Sequence, residues 1–144
     1  MDNQFQKILD LNEIRNLRYH YAHHLDGNNI DEMGQVFSDD AVVEVTVGKM
    51  EGIEAIKKGL RDAYVLFDRD HKKHYPFMHV IANHIIDITG PETAEGKCYL
   101  IDFETAQKEE KNPLLLLGLY KDQYKKIDGV WKITHTVLDV TWDN

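Results

Sequence analysis

A chain of 144 residues with 17 basic and 25 acidic side chains, eight histidines and one cysteine is the right length for a single domain, 1–144, that folds without disulfides or a structural metal. Its formal charge of −8 repels phosphate backbones and argues against a nucleic-acid partner. The lone Cys98 excludes an intrachain disulfide and cysteine-rich zinc sites. No apolar run approaches a membrane span, and the opening MDNQFQKILD has neither the basic nor the apolar region of a secretory signal, so the expectation is a cytoplasmic chain.

Gln6 to Leu25 predicts a helix, with Ile8, Leu11, Ile14, Leu17, Tyr21, Ala22 and Leu25 recurring at three- and four-residue steps. Asp26 falls at the edge of that stripe, and Gly27 supplies the stop. A carboxylate at a helix C-terminus opposes the helix dipole, so helix stability gives Asp26 no reason to be there. A short helix is expected over Ile30 to Phe37. A strand follows over Ala41 to Val47, where β-branched residues alternate, and then a helix opens at Gly52 with Ile53, Ile56, Leu60 and Tyr64 on one face. The polar stretch from Asp68 to His74 reads as a loop. Two hairpins complete the chain: Met78–Ile88 with Thr93–Gln107, and Leu114–Lys126 with Val130–Trp142 across the turn Ile127-Asp128-Gly129. Helices first and long hairpins after make an α+β domain.

Several segments carry a resemblance. Leu17-Arg18-Tyr19-His20-Tyr21-Ala22-His23-His24-Leu25-Asp26-Gly27-Asn28 is followed in order by Phe37-Ser38-Asp39-Asp40-Ala41, Gly52-Ile53-Glu54-Ala55-Ile56 and His79-Val80-Ile81-Ala82-Asn83. Gly90-Pro91-Glu92-Thr93-Ala94, Tyr120-Lys121-Asp122 and Asp128-Gly129-Val130-Trp131-Lys132-Ile133 complete the series. Together they resemble the SnoaL-like domain of the nuclear-transport-factor-2-like, or cystatin-like, superfamily, and within it the scytalone dehydratase and bile acid 7α-dehydratase branch. The resemblance implies a curved antiparallel sheet forming a cone closed by N-terminal helices, with an apolar pocket inside. It also implies a cofactor-free lyase or isomerase, and homodimers or homotrimers packed through the outer sheet face. Because this fold also serves non-catalytic assembly subunits and small-molecule binding modules, the site must decide the function.

In the dehydratases a Tyr and an Asp five residues apart at the end of the first helix face a His that opens a central strand. Tyr21, Asp26 and His79 match that spacing, and Asp102 stands where an acidic residue recurs on the neighbouring strand. The second histidine of the scytalone enzyme has no counterpart there, since Asp102 or Glu104 occupies that stretch. These residue types suit elimination of water β to a carbonyl. Histidine titrates near neutral pH and removes the α proton, a carboxylate fixes its tautomer, and a phenol donates to the enolate oxygen. His79 is therefore the expected base or acid, Asp26 or Asp102 its orienter, and Tyr21 the electrophile.

Strand period places His79, Ile81, Asn83, Ile85 and Asp87 on one face, so Asn83 is expected to line the pocket beyond His79. Tyr120 is a further pocket candidate. His135 follows Trp131 and Ile133 at period two and is expected inward, whereas His84, out of phase with His79, should face helices or a partner subunit. Tyr64, Phe67, Tyr75 and Phe77 flank the polar loop as a cover for a small apolar or polycyclic substrate. Leu115, Leu117 and Leu119 point outward, toward an assembly face. His20, His23, His24, His71 and His74 read as surface residues. The His20/His24 spacing lacks the glutamate of a zinc-protease motif, so no metal is expected.

Overall fold

The computed structural model describes residues 3–46, 48–106 and 111–144. Helix α1, Asn3–Asp26, buries Ile14, Leu17, Tyr21 and Leu25 on the expected stripe, and on the same stripe it also buries Asp10, Arg18 and Asp26. A charge inside must be answered by a partner. Asp10 accepts a hydrogen bond from Trp131 Nε1 at 3.0 Å and pairs with Lys126 Nζ at 3.0 Å, which ties the start of α1 to the last hairpin. The helix ends where Gly27 N–H bonds the His23 carbonyl at 2.9 Å and Asn28 turns to φ 61°, a left-handed cap that asparagine tolerates.

A 3-10 turn over Ile30–Gln35 leads into β1, Phe37–Val45, which begins earlier than the alternation alone indicates because Phe37 already pairs with Ile133. A short strand the sequence did not announce, β2, Gly48–Glu51, folds back on β1. Helix α2, Ile53–Phe67, buries Ile56, Leu60 and Tyr64. Four long strands follow: β3, Phe77–Gly90; β4, Thr93–Glu104; β5, Leu114–Ile127; and β6, Val130–Asp143. Val47, the Gln107 end expected for β4 and most of the charged turn after it lie outside the described residues. The six strands order as β2-β1-β6-β5-β4-β3 in one curved, unclosed sheet. The fold is α+β as expected, but the sheet is mixed. β1 lies parallel to β6, which β1 can reach only through the long crossover that the rest of the chain supplies.

The helices cover one face of the sheet. Trp131, Ile133, Phe37, Leu100 and Ile14 are almost fully buried there, each worth about 1.5–3 kcal/mol of burial. Which side chains reach that face depends on bulges, and three of them bear on the sequence expectations. Ala82 opposes Tyr99 and Ile85 opposes Lys97, so β3 carries one extra residue, at Asn83 and His84. Ile133 opposes Tyr124 and His135 opposes Gln123, so β6 carries one too. Asp102 opposes Leu116 and Phe103 opposes Leu114, which puts the third in β5 at Leu115. Each insertion switches the strand's inward set to the other parity.

Three sequence expectations fall for this reason, those for Asn83, His135 and Leu115, whereas His84 takes the helix-facing one of its two expected placements. Asn83, at φ 51°, is exposed rather than inside, and His84 turns inward in its place. His135 turns to the outer face, while Thr136 is buried. Leu115 lines the inner cavity instead of the outer face. Gly96 supports the β3 bulge, since a Cβ there would meet the Ile85 carbonyl at 2.7 Å and the Tyr124 ring at 3.2 Å. The outer face of β3–β6 exposes Met78, Val80, Tyr99 and Trp142.

Candidate active site

The end of α1 is aimed at the start of β3. Asp26 Oδ2 accepts the backbone N–H of His79 at 2.8 Å, and Asp26 Oδ1 accepts Nδ1–H of the same residue at 2.6 Å. This double contact explains a carboxylate in the last turn of a helix, because the helix delivers it to a histidine. A carboxylate on Nδ1 fixes the tautomer and leaves Nε2 as the basic nitrogen. Nε2 looks toward Asp102 Oδ2, 3.5 Å away on the directly opposed residue of β4. Asp102 Oδ1 is buried with no hydrogen-bond partner.

Burial opposes a charged imidazolium at His79, but the Asp26 hydrogen bond and the charges of Asp102 and Asp26 outweigh it and raise its pKa. Burial pushes Asp102 up to about 6, with the Asp26 charge adding to the rise and His79 opposing it. Asp102 therefore titrates closer to neutral pH than an ordinary carboxylate does, within reach of the His79 ring.

A cavity of about 90 Å³ opens onto these groups. Tyr21, His79, Asp102 and Tyr120 form its polar side, and Phe67, Phe77, Leu100 and Leu115 are among its apolar walls. Neither lysine nor arginine appears among its described lining residues. Tyr64, expected in this wall, instead stands behind it and packs edge-on against Phe77 with centroids 5.8 Å apart. The rings of Tyr21 and Tyr120 meet edge-on at 5.9 Å, and the two phenols interact electrostatically. Burial raises the pKa of Tyr21, and the Asp102 and Asp26 charges add to that rise, while Arg18 and Tyr120 oppose it. Tyr21 therefore stays a neutral donor. A second cleft of about 260 Å³ lies on the other side of the Asp26–His79 pair, between α1 and β3, and is lined by Tyr19, Tyr75, Met78 and Val80. Two larger grooves on the outer sheet face, about 470 and 560 Å³, contain His135 but none of the groups of the pair. There His135 Nε2 meets Glu44 at 2.8 Å, partly exposed, which leaves it no part in the cavity.

The SnoaL-like domain family matches residues 6–137. The chain belongs to that family. Among curated relatives, the SnoaL-like chain is 31% identical to the terrestric acid biosynthesis cluster protein E of Penicillium crustosum over 73% of its own length and 66% of the relative's. Among solved structures it superposes with a TM-score of 0.80 on a candidate scytalone dehydratase from Novosphingobium aromaticivorans, at 24% identity, covering 98% of this chain and 90% of that one. A hexachlorocyclohexane dehydrochlorinase of LinA type 3 from Novosphingobium barchaimii also superposes at 0.80, at 15% identity, covering 99% and 93%. A cystatin-like protein of unknown function from Nostoc punctiforme gives 0.77 at 23% identity, covering 92% and 91%. At these identities the superpositions establish the fold.

Of the candidates singled out in the sequence, the SnoaL-like fold brings Tyr21, Asp26, His79, Asp102, Tyr120 and Phe67 together and leaves Asn83, Tyr64 and His135 outside. It adds a group that was passed over. Arg18, fully buried, donates through Nε and Nη2 to Asp122 at 2.9 and 2.5 Å and through Nη2 to Thr136 at 2.9 Å. Tyr124 Oη also donates to Asp122, at 3.0 Å, and His84 Nε2 meets that hydroxyl at 3.0 Å. The signal was available, since Arg18 stands on the stripe of Ile14, Tyr21 and Leu25, and Asp122 shares strand phase with Tyr120 and Tyr124.

His84, Cys98 and Asp122 bring metal-capable atoms within 4.8 Å of one another. The donor set does not suit a cation. Asp122 accepts four hydrogen bonds, Arg18 already supplies the positive charge, and burial pushes the Cys98 thiol up to about 12.

Proposed function

We propose that this SnoaL-like chain is a cofactor-free lyase or isomerase, most concretely a dehydratase acting on a small, uncharged, hydroxylated carbonyl compound. The observation that carries the reading is the Asp26–His79–Asp102 line. One carboxylate holds both N–H groups of the histidine, and the other faces its free nitrogen from inside an apolar cavity. His79 Nε2 takes the proton α to the carbonyl. The electron pair moves to the carbonyl oxygen, which Tyr21 receives as a hydrogen-bonded enolate. The enolate then collapses, the β C–O bond breaks, and protonated Asp102 gives its proton to the departing hydroxide, which leaves as water. The 3.5 Å contact returns the proton from imidazolium to Asp102 and closes the cycle.

The small cavity and its cation-free lining favour a neutral ring of monocyclic size, and a fused polycycle requires the Phe67–Phe77 wall to move. Dehydratase and dehydrochlorinase, the names of two structural neighbours, both denote eliminations. We extend the proposal to a homo-oligomer packed through the apolar outer face that carries Met78, Val80, Tyr99 and Trp142.

The test is a panel of cyclic β-hydroxy ketones, followed by enone absorbance and by loss of water in mass spectrometry. His79→Ala should cut turnover by about 10²–10⁴-fold, and Asp26→Asn should act in the same direction, with the unfolding midpoint retained. Undiminished turnover in His79→Ala overturns the mechanism. Thermal stabilisation by panel members without turnover favours a binding module instead.

A further inference from the structure

The proposed reaction has an electrostatic difficulty. An enolate would form at Tyr21 within the field of the Asp26 carboxylate, joined by Asp102 once that group has given up its proton, and both charges oppose negative charge there. No lysine or arginine among the described residues lines the cavity to offset them. The counterweight sits one layer behind. The Arg18 guanidinium carbon lies 3.7 Å from the centroid of the Tyr120 ring and 4.9 Å from that of Tyr21. Arg18 is fully buried, Tyr120 and Tyr21 nearly so, and the two phenol rings meet edge-on with centroids 5.9 Å apart. The guanidinium is held in register by Asp122, whose four accepted hydrogen bonds leave it no freedom to turn.

A buried ion pair is an expensive way to fill a core. An apolar pair of similar volume is often neutral or more stable, so its presence calls for a reason other than stability. We propose that Arg18 is a positioning residue for the oxyanion site, stacking on Tyr120 and polarising its hydroxyl so that Tyr120 and Tyr21 act as a two-phenol donor to the substrate's developing negative oxygen. A cation on the face of an aromatic ring, in surroundings of low dielectric, acts strongly over these distances. Placed behind the ring rather than in the cavity, it supports a negative oxygen through the phenol hydroxyls and leaves the cavity itself free of lysine and arginine among its described lining residues. This inference rests on reading Tyr21 as the donor in the proposed elimination.

The test uses the full chain and two probes of similar shape, 4-nitrophenol and nitrobenzene. The phenol is followed by the visible band of its phenolate and nitrobenzene by quenching of protein fluorescence. The wild type should bind the phenolate more tightly than nitrobenzene. Tyr120→Phe keeps the ring and the Arg18–Asp122 pair but removes the hydroxyl beside Tyr21. The double variant Arg18→Met/Asp122→Leu removes the ion pair as a unit. Each should lose about tenfold in phenolate affinity, with nitrobenzene affinity and far-ultraviolet circular dichroism unchanged. If both variants bind phenolate as the wild type does, or lose both probes equally, Arg18 serves structure alone and the inference falls while the Tyr21 reading stands. If the wild type itself shows no preference for the phenolate, the Tyr21 reading falls and this inference with it.

Discussion

Two carboxylates on the same sheet face, Asp102 and Asp122, are both almost inaccessible to solvent and are treated in opposite ways. Asp122 accepts from Arg18 Nε, Arg18 Nη2, Thr136 and Tyr124, so every lone pair is spoken for beside a full positive charge. Asp102 has one contact at 3.5 Å and one bare oxygen, and burial lifts its pKa to about 6. Both clusters hang on charges that α1 carries inward, Arg18 for one and Asp26 for the other. A saturated carboxylate is fixed in charge and geometry and can only support. An unsaturated one next to a histidine can exchange a proton. That difference is why the proposed elimination is assigned to the Asp26–His79–Asp102 end of the core.

The largest effect that would break the contrast lies on the saturated side. Asp122→Ala leaves the Arg18 cation buried without its partner and should cost about 3–5 kcal/mol of stability, read as a lowered urea midpoint at constant slope. A loss under about 1 kcal/mol would mean that water or another acceptor reaches Arg18, and the two carboxylates would no longer differ in kind.

The next effect is on the open side and depends on pH. The folded-state pKa of Asp102 is raised, so between its ordinary value of 3.8 and about 6 the folded chain holds a proton that the unfolded chain has released. Stability therefore falls as pH rises through that window, by up to about 3 kcal/mol. The raised pKa of His79 acts with the same sign, because its contribution is present below the unfolded histidine value and is lost as pH rises through the folded one. Asp102→Asn should flatten urea midpoints measured from acid to neutral pH and leave the variant more stable than wild type at neutral pH. An unchanged slope would show that Asp102 is ionised throughout, and its assignment as the acid would fail.

How far the sequence could be read follows from where its periodicity holds. The end of α1 was legible because helical period is unbroken from Ile14 to Asp26 and leaves Asp26 with no stabilising role of its own. His79 and Asp102 were legible because they precede any bulge. Beyond a bulge the reading inverts. His84 and Asn83 exchange places in β3, Thr136 and His135 in β6, and Leu115 moves inside in β5. In β3 and β6 one inserted residue reverses the assignments that follow it, and nothing in a valine- and isoleucine-rich strand announces it except an asparagine able to take φ 51°. Arg18 was missed for a different reason. A charged residue on an apolar stripe is read as marking the stripe's edge, when here its partner waits across the sheet.

The β3 bulge gives the smallest effect and sharpens the comparison most cleanly. Asn83 holds the left-handed conformation that lets His84 swing inward to Tyr124, on the saturated side, while His79 upstream keeps its register with Asp102. Alanine at 83 meets the Cβ–carbonyl crowding of that conformation and should lose about 1–2 kcal/mol, whereas Asn83→Gly, free of that crowding, should stay close to wild type. Because the strain falls beyond the reactive residues, 4-nitrophenol binding in the cavity should be the same in all three proteins. If Asn83→Ala weakened the probe as much as the fold, the bulge would be supporting both carboxylates, and the supporting and reactive ends of the core would be one cooperative unit.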